Sequence, residues 1–224
     1  METLAARLGS VLISVATAVA IIALVMPLFL NPVWVAFEQG RAQAAAWTGF
    51  SEPDLRAATD SILADLVLGP PDFDVAVAGE PVLNERERSH MRDVRGVFIG
   101  FFAAAAVLAG AAAAVALRRR GRVFTAATSN AESWPAVRHG AIGLIVALLV
   151  AGAASVVAFD ALFEVFHQLF FPGGTYTFDP ETERLVQLFP FRFWQETSIA
   201  LGVVAVVVAV IVAGAAHQRA DDRR

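Results

Sequence analysis

The sequence predicts an all-α integral membrane protein with four transmembrane helices and two extracytoplasmic loops that carry amphipathic helices. Hydrophobic residues make up 57% of the 224-residue chain, and the mean hydropathy is +0.62. Charged residues make up 17%, whereas a soluble domain usually contains about a quarter. Four apolar stretches reach the roughly 20 residues that a helix needs to cross the bilayer core. We therefore expect a single membrane domain over residues 1–224.

The four expected spans are long stretches without charge. They cover residues 11–30, 97–117, 140–159 and 197–216. None of them contains Asp, Glu, Arg or His, so no group within a span indicates an ion or proton path across the membrane. A transporter or channel is therefore disfavoured. The first span is longer than the core of a cleaved signal peptide, and we expect it to be retained.

The distribution of arginine predicts the orientation of the chain. Nine arginines fall in the 40 residues of segments 1–10, 118–139 and 217–224, and eight fall in the 103 residues of loops 31–96 and 160–196. Because cytoplasmic segments are enriched in basic residues, both termini are expected in the cytoplasm and the two longer loops outside. Seventeen of the 21 acidic residues then lie outside. No outward basic surface remains for a nucleic acid, so none is expected as a partner.

The first outer loop begins its predicted structure at Ser51. This capping residue is followed by Pro53 and by acids in the first turn, which predicts an amphipathic helix to about Leu68. Gly69 and the two prolines after it should end that helix. Residues 72–82 are expected to be irregular or weakly extended.

A capping-box pattern, Asn84 with Glu87 three residues later, predicts a helix that continues without interruption into the second span. His90 would lie on the exposed extension of this helix, near the lipid headgroups. Helical spacing places Asp93 on the same face, so its carboxylate could orient the His90 ring and stabilise its protonated form. From spacing alone, residues 85–95 also fit a solvated helix of mixed charge.

The second outer loop is rich in phenylalanine. Aromatic side chains recur at helical spacing together with one histidine: Phe163, Phe166, His167, Phe170 and Phe171. This pattern predicts an amphipathic helix at the membrane interface, with His167 on its apolar stripe. Interfacial anchoring explains the aromatics equally well, and a histidine among them is commonly a packed core residue. Residues 175–178 alternate as in a short strand, and residues 189–194 return the chain to the membrane as an aromatic belt.

The two outer histidines are the best candidates for chemistry. The pKa of histidine lies nearest neutrality, so a pair that converges at a membrane surface can take a proton from one group and give it to another. A metal site built from His90, Asp93 and His167 is conceivable, but no spacing demands one, and neither a metal nor another cofactor is expected. Motifs of zinc proteases, serine hydrolases and nucleotide-binding proteins are absent from the sequence.

Two motifs on the expected outer side carry a family resemblance. The first is Ser89-His90-Met91-Arg92-Asp93-Val94-Arg95. The second is Phe166-His167-Gln168-Leu169-Phe170-Phe171, followed by Thr175-Tyr176-Thr177-Phe178-Asp179-Pro180 and Leu188-Phe189-Pro190. In this order, and with four spans, they resemble the lipoprotein intramolecular transacylase family over nearly the whole chain. Many members of that family are described only as integral membrane proteins of unknown function.

The resemblance implies an enzyme of the bacterial cytoplasmic membrane without a cofactor. It would move an acyl chain from the glyceryl group of a diacylglyceryl lipoprotein to the α-amino group of the lipoprotein's N-terminal cysteine. His90 and His167 would be the functional histidines, and Asp93 would orient His90. The expected partners are the lipoprotein and membrane lipid.

Further site residues follow from the same resemblance. Arg92 or Arg95 would bind developing negative charge, and Phe166, Phe170 and Tyr176 would contact the substrate. Two other classes of function stay open: a non-catalytic membrane scaffold whose outer loops bind a partner protein, and a membrane hydrolase that cleaves the same ester. Transfer and hydrolysis differ in whether water reaches the site.

Overall fold

A computed structural model describes residues 4–121, 133–171 and 173–221. Helices make up most of this part of the chain. In chain order they are α1 (Leu4–Val25), a 3₁₀ turn (Met26–Leu28), α2 (Pro32–Arg41), α3 (Ala44–Thr48), α4 (Glu52–Val67), α5 (Glu85–Gly121), α6 (Ser133–Phe170), α7 (Arg184–Leu188) and α8 (Phe191–Asp221). Two short strands, β1 (Ala76–Val77) and β2 (Glu80–Pro81), lie between α4 and α5.

Four of these helices are long and apolar enough to cross a membrane: Leu4–Leu28, Glu85–Arg119, Ser133–Phe170 and Phe191–Asp221. The four expected spans are therefore confirmed. The last turn of the first span is not α-helical: α1 ends at Val25, and the 3₁₀ turn Met26–Leu28 follows. Pro27 accounts for this, since proline has no N–H to continue the α-helical hydrogen bonds. Half of the expected cytoplasmic loop 118–139, residues 122–132, lies outside the described residues.

The chain divides into two compact units. We call residues 1–25, 101–153 and 201–224 the membrane unit, and residues 26–100 and 154–200 the loop unit. The helices α5, α6 and α8 pass from one unit to the other along the chain. A single membrane domain over the whole chain stays a prediction.

Within the membrane unit, α1 packs closely against α6. The Ser14 hydroxyl donates a hydrogen bond of 2.8 Å to the Ala136 carbonyl. Gly140 lies so near α1 that a Cβ at this position would collide with the Ser14 carbonyl and lie 2.9 Å from the Ser14 Cα. Glycine is therefore required here because the two backbones approach each other directly.

Capping side chains start the helices of the loop unit. Ser51 Oγ accepts from the Asp54 N–H at 3.3 Å, and α4 begins at the next residue, as predicted. Asn31 caps α2 in the same way, with its side-chain oxygen 3.0 Å from the Val33 nitrogen. Helices α2 and α3 were not predicted, although the Asn31-Pro32 sequence carries the usual capping signal.

The loop unit has its own hydrophobic core. Its buried side chains come from α2, α4, the segment between α4 and α5, the start of α5, and α7: examples are Val35, Leu55, Ile62, Phe73, Met91 and Leu188. Gln39 is buried in this core, and its amide donates to the Thr59 hydroxyl at 3.0 Å and to the Leu188 carbonyl at 2.9 Å. This side chain therefore joins α2, α4 and α7 through satisfied buried hydrogen bonds.

The irregular segments differ in how well they were predicted. Residues 72–82 contain a weak antiparallel pairing of Ala76 with Pro81 and of Val77 with Glu80, as expected. Residues 175–178 form a turn and coil, so the predicted strand was wrong. The side chains of this segment contact helices, and no strand among the described residues pairs with it.

Candidate functional site

The start of α5 fixes the position of His90. The Asn84 N–H donates to Glu87 at 2.7 Å, and the Glu87 N–H donates to the Asn84 side-chain oxygen at 3.0 Å. This confirms the predicted capping box. From there α5 continues through His90 into the second span without a break, also as predicted.

A second set of hydrogen bonds holds the segment before α7 against α5. The buried Glu87 carboxylate accepts from the Leu185 N–H at 2.6 Å, at the start of α7. One residue earlier, Arg86 donates to the Glu183 carboxylate at 2.6 Å. Because Glu183 also accepts from the Asp179 N–H at 2.7 Å, the segment leading into α7 is fixed beside α5.

His90 is buried by these loops. Its exposed fraction is 6%, so the expectation that it lies on an exposed helical extension was wrong. Its ring makes edge contacts with Phe171, at 4.8 Å between centroids, and with Phe178, at 5.4 Å. The sequence prediction failed here because it treated α5 as uncovered above the membrane, whereas residues distant in sequence pack on it.

His167 lies near the end of α6, where a single hydrogen bond fixes its ring. The Nδ1 atom is 2.7 Å from the Phe163 carbonyl oxygen one helical turn earlier. A carbonyl oxygen only accepts, so Nδ1 carries the hydrogen and Nε2 is left as the basic nitrogen. The rings of Phe163 and Tyr176 pack against the imidazole at 4.1 and 4.9 Å between centroids.

The structure brings the two histidines together. Their ring centroids are 6.2 Å apart, and the ring planes are inclined by 23°. Phe171 contacts both rings, at 4.8 Å from His90 and 5.6 Å from His167. At this separation one substrate group beside the two rings can contact both imidazoles, which proton transfer in two steps requires.

The electrostatic environment keeps His90 neutral. This residue precedes the apolar run that begins at Val97. Burial, the largest cause, and the nearby His167 together lower the pKa of His90 from 6.5 to about 4, whereas Asp93 acts in the opposite direction. The ring is therefore neutral at physiological pH, because the loss of hydration destabilises the charged imidazolium more than the Asp93 carboxylate stabilises it.

Asp93 does not make the expected hydrogen bond to His90. Nδ1 of His90 is buried and has no hydrogen-bond partner among the described residues. The Asp93 carboxylate instead accepts a long hydrogen bond of 3.5 Å from the Thr175 hydroxyl. Helical spacing correctly placed Asp93 and His90 on one face, but a shared face does not determine where a carboxylate points.

The two predicted arginine ligands are bound elsewhere. Arg92 pairs with Glu85 at 2.6 Å. Arg95 donates to the carbonyls of Asp65 and Gly69, at the C-terminal end of α4. These carbonyls lack helical partners, so Arg95 satisfies them as a cap. We therefore correct the expectation that Arg92 or Arg95 binds charge developing beside the histidines.

The predicted aromatic contacts lie around His167. Phe166 is 5.4 Å from the imidazole, and Phe170 packs on Phe166 at 4.8 Å between centroids. Both remain exposed, at 46% and 44%, so they present an apolar surface beside the site. Tyr176 contacts His167 directly. Substrate binding by these three residues stays a prediction.

Sequence reasoning missed several residues of the site. Phe178 packs between the His90 ring and the Arg86 guanidinium, which is 5.0 Å from the Phe178 centroid. Glu164 accepts a hydrogen bond of 2.7 Å from the Tyr176 hydroxyl. Helical spacing does place Arg86, four residues before His90, on the same face of α5, but it does not indicate the contact of Arg86 with Phe178.

The grouping of possible metal ligands also bears on the site around the two histidines. Within residues 4–121, 133–171 and 173–221, no group of three or more His, Cys, Asp or Glu side chains could hold a metal ion. The donor set at the centre consists of two imidazoles whose ring centroids are 6.2 Å apart, with Phe171 in contact with both. The chemistry available from these groups is therefore proton transfer and hydrogen bonding.

Taken together, the helices and this centre define a multi-pass, all-α membrane protein with a pair of histidines suited to acid–base catalysis. The sequence profile of the family described as lipoprotein intramolecular transacylase Lit matches residues 8–194. The chain belongs to this family and is a transferase of the transacylase type. The resemblance drawn from the two motifs is confirmed.

Solved structures share the fold. The membrane-integral lipoprotein intramolecular transacylase Lit from Bacillus cereus has 16% sequence identity and a TM-score of 0.77, covering 98% of this chain and 97% of its own. Two forms of the same protein with one histidine replaced, by arginine or by alanine, give the same TM-score and cover 93% and 95% of their chains. The all-α membrane fold is thereby confirmed. No curated protein matches the chain.

Proposed function

We propose that this protein transfers an acyl chain from the glyceryl group of a diacylglyceryl lipoprotein to the α-amino group of the lipoprotein's N-terminal cysteine, with His90 and His167 as the catalytic residues. The observation that carries this proposal is the pairing of the two imidazoles at 6.2 Å. The two histidines lie on different helices, α5 and α6, and are distant in sequence.

His167 is assigned as the general base. Its Nδ1 hydrogen is committed to the Phe163 carbonyl, so Nε2 has the lone pair that accepts a proton from the attacking α-amine. The backbone anchor also prevents the ring from exchanging its two nitrogens by rotation. Both effects resemble the way a fixed acceptor selects the tautomer of a catalytic histidine.

His90 is assigned as a hydrogen-bond donor to the reacting ester. Because burial keeps its ring neutral, it carries one N–H and does not bring a permanent positive charge into the site. A neutral imidazole can polarise a carbonyl oxygen on which negative charge develops. The two histidines therefore differ in role because their surroundings differ.

The reaction balances without an added reactant. The α-amine nitrogen attacks the ester carbonyl carbon, and His167 takes the proton that the nitrogen loses. The carbon–oxygen bond to the glyceryl group then breaks, and the His167 imidazolium returns the proton to the departing oxygen. An ester becomes an amide, and because both groups belong to one substrate, holding them together supplies much of the rate.

The position of the site in the membrane follows from charge. The arginine-rich segments support cytoplasmic termini, and with them a position of His90 and His167 on the extracytoplasmic side, where a lipoprotein's N-terminal cysteine and its acyl chains lie. Exposed Phe166 and Phe170 supply an apolar surface for those chains and for membrane lipid. Buried aromatic contacts at His90 limit access of water, which favours transfer over hydrolysis.

The test is tandem mass spectrometry of N-terminal lipopeptides from a bacterial host whose lipoproteins carry a free α-amine. Hosts expressing the wild type, His90→Ala, His167→Ala and the control His217→Ala are compared. His217 is an exposed residue of α8 in the membrane unit. Since transfer leaves the intact mass unchanged, fragment ions must locate each acyl chain.

We expect an N-acyl fragment with the wild type and with His217→Ala, and none with either site variant. Loss of one acyl mass would instead identify a hydrolase. Unchanged lipopeptides with well-expressed wild type would contradict the proposal and favour a scaffold. Equal N-acylation by all four proteins would contradict the assignment of the two histidines.

A further inference from the structure

We propose that Glu164 is a positioning residue for His167 and acts through the hydroxyl of Tyr176. This inference rests on the catalytic role proposed above for His167. Glu164 interacts with His167 by charge but makes no hydrogen bond to the imidazole; its hydrogen bond holds the Tyr176 ring that packs against the imidazole. Because such a role concerns geometry, it predicts a loss of turnover without a matching loss of substrate binding.

The geometry of Glu164 is defined by two hydrogen bonds to one oxygen. Its Oε1 accepts from the Tyr176 hydroxyl at 2.7 Å and from the Gln168 amide at 2.8 Å. Glu164 and Gln168 are one turn apart on α6, so the amide fixes the carboxylate from its own helix. The carboxylate in turn fixes Tyr176, which belongs to the turn after α6.

Tyr176 then restrains His167. The phenol ring lies 4.9 Å from the imidazole centroid, and the Phe163 ring lies 4.1 Å from it. The Phe163 carbonyl holds Nδ1, but one hydrogen bond leaves the imidazole free to tilt about it. Contact with Tyr176 limits this tilt, and the tilt decides where the basic Nε2 points.

The hydroxyl bond to Glu164 holds the Tyr176 side chain to α6 in addition to the ring contact with His167. Glu164 raises the pKa of the Tyr176 phenol, so the phenol stays a donor. Without the bond, the turn that carries Tyr176 would keep the long hydrogen bond from Thr175 to Asp93 and the interaction of the phenol with Gln168. A small change in ring position matters because misplacing a catalytic group by about 1 Å can cost roughly 100-fold in rate.

The experiment compares steady-state transacylation by Glu164→Ala, Tyr176→Phe, the double variant and the conservative variant Glu164→Gln. We expect each single variant to lower kcat about tenfold and to change KM by less than about threefold. The double variant should lose no more than either single one, since both remove the same bond. Glu164→Gln should lose less than Glu164→Ala, because its amide oxygen still accepts from Tyr176.

Asp160→Asn is the matched control, since Asp160 is an exposed acid one turn earlier on α6. A second measurement does not depend on turnover: the nitrogen NMR signals of His167 in protein labelled at histidine, assigned with His167→Gln. Tyr176→Phe and Glu164→Ala should shift these signals, whereas Asp160→Asn should not.

The two measurements separate this inference from the proposed function. If the wild type transfers no acyl chain but the His167 signals respond as described, the positioning role stands and the proposed function fails. If the wild type is active, His167→Ala is inactive, and both Glu164→Ala and Tyr176→Phe keep full kcat, the positioning role is overturned. Unchanged His167 signals in both variants would also overturn it.

Discussion

Replacing His90 by phenylalanine is expected to remove a pH-dependent part of the protein's stability. Phenylalanine keeps an aromatic ring in contact with Phe171 and Phe178 but has no group that titrates. In the wild type, burial lowers the pKa of His90 to about 4, so acid must either charge a buried ring or open the loops that cover it. The His90→Phe variant has no ring at this position that acid can protonate.

The magnitude follows from the two pKa values. Between pH 4 and 6.5 the unfolded chain binds a proton at His90 that the folded chain does not. Proton uptake at His90 therefore favours the unfolded chain in this range. The folded protein keeps its full stability above pH 6.5 and loses part of it as the pH falls towards 4. A difference of one in pKa is worth about 1.4 kcal/mol, so the loss is about 2 kcal/mol between pH 7 and pH 5 and about 3 kcal/mol in all.

The assay is thermal unfolding of the detergent-solubilised protein at pH 7 and at pH 5. The wild type should lose roughly 4–8 °C more than His90→Phe on acidification. His217→Phe is the control, because the His217 side chain is 59% exposed, and it should behave as the wild type does. If wild type and His90→Phe lose the same number of degrees, His90 is not a buried neutral imidazole and the role assigned to it is refuted.

Two other substitutions test the packing of each unit. Gly140→Ala should destabilise the membrane unit by about 1–3 kcal/mol, since the added Cβ would collide with Ser14. Gly143→Ala is the control, because a Cβ there has open space, and it should be neutral or slightly stabilising. Thermal unfolding in detergent distinguishes the two variants. Glu87→Ala should cost about 2–4 kcal/mol, because it leaves the N–H groups of Asn84 and Leu185 without their acceptors; equal melting temperatures for this variant and wild type would contradict that reasoning.

Local signals made much of the fold predictable. The long uncharged stretches predicted the four spans because a bilayer allows few alternatives to a helix. The capping residue Ser51 and the capping box at Asn84 predicted two helix starts correctly, since each depends on residues three positions apart. The 3₁₀ turn at Pro27 was missed because apolar composition does not report where a helix ends.

Contacts across long sequence distances were not predictable in the same way. The sequence indicated that His90 and His167 lie on one side of the membrane, and the structure brings their rings to 6.2 Å. Burial of His90 depends on Phe171 and Phe178, which are far from it in sequence. Alternation at residues 175–178 predicted a strand, but the segment is fixed by side-chain contacts to α5 and α6.

The arginines show a case in which helical geometry could have corrected the sequence interpretation. At about 100° per residue, Arg92 and Arg95 lie roughly 200° and 140° around α5 from His90, whereas Arg86 lies about 40° away. Only Arg86 shares the face of His90, and its guanidinium is paired with Glu183. Each of these three cations therefore already has a partner in the described structure. In the reaction that we propose, negative charge that develops on the ester is met by a neutral donor, the His90 N–H, and burial of His90 keeps that donor neutral.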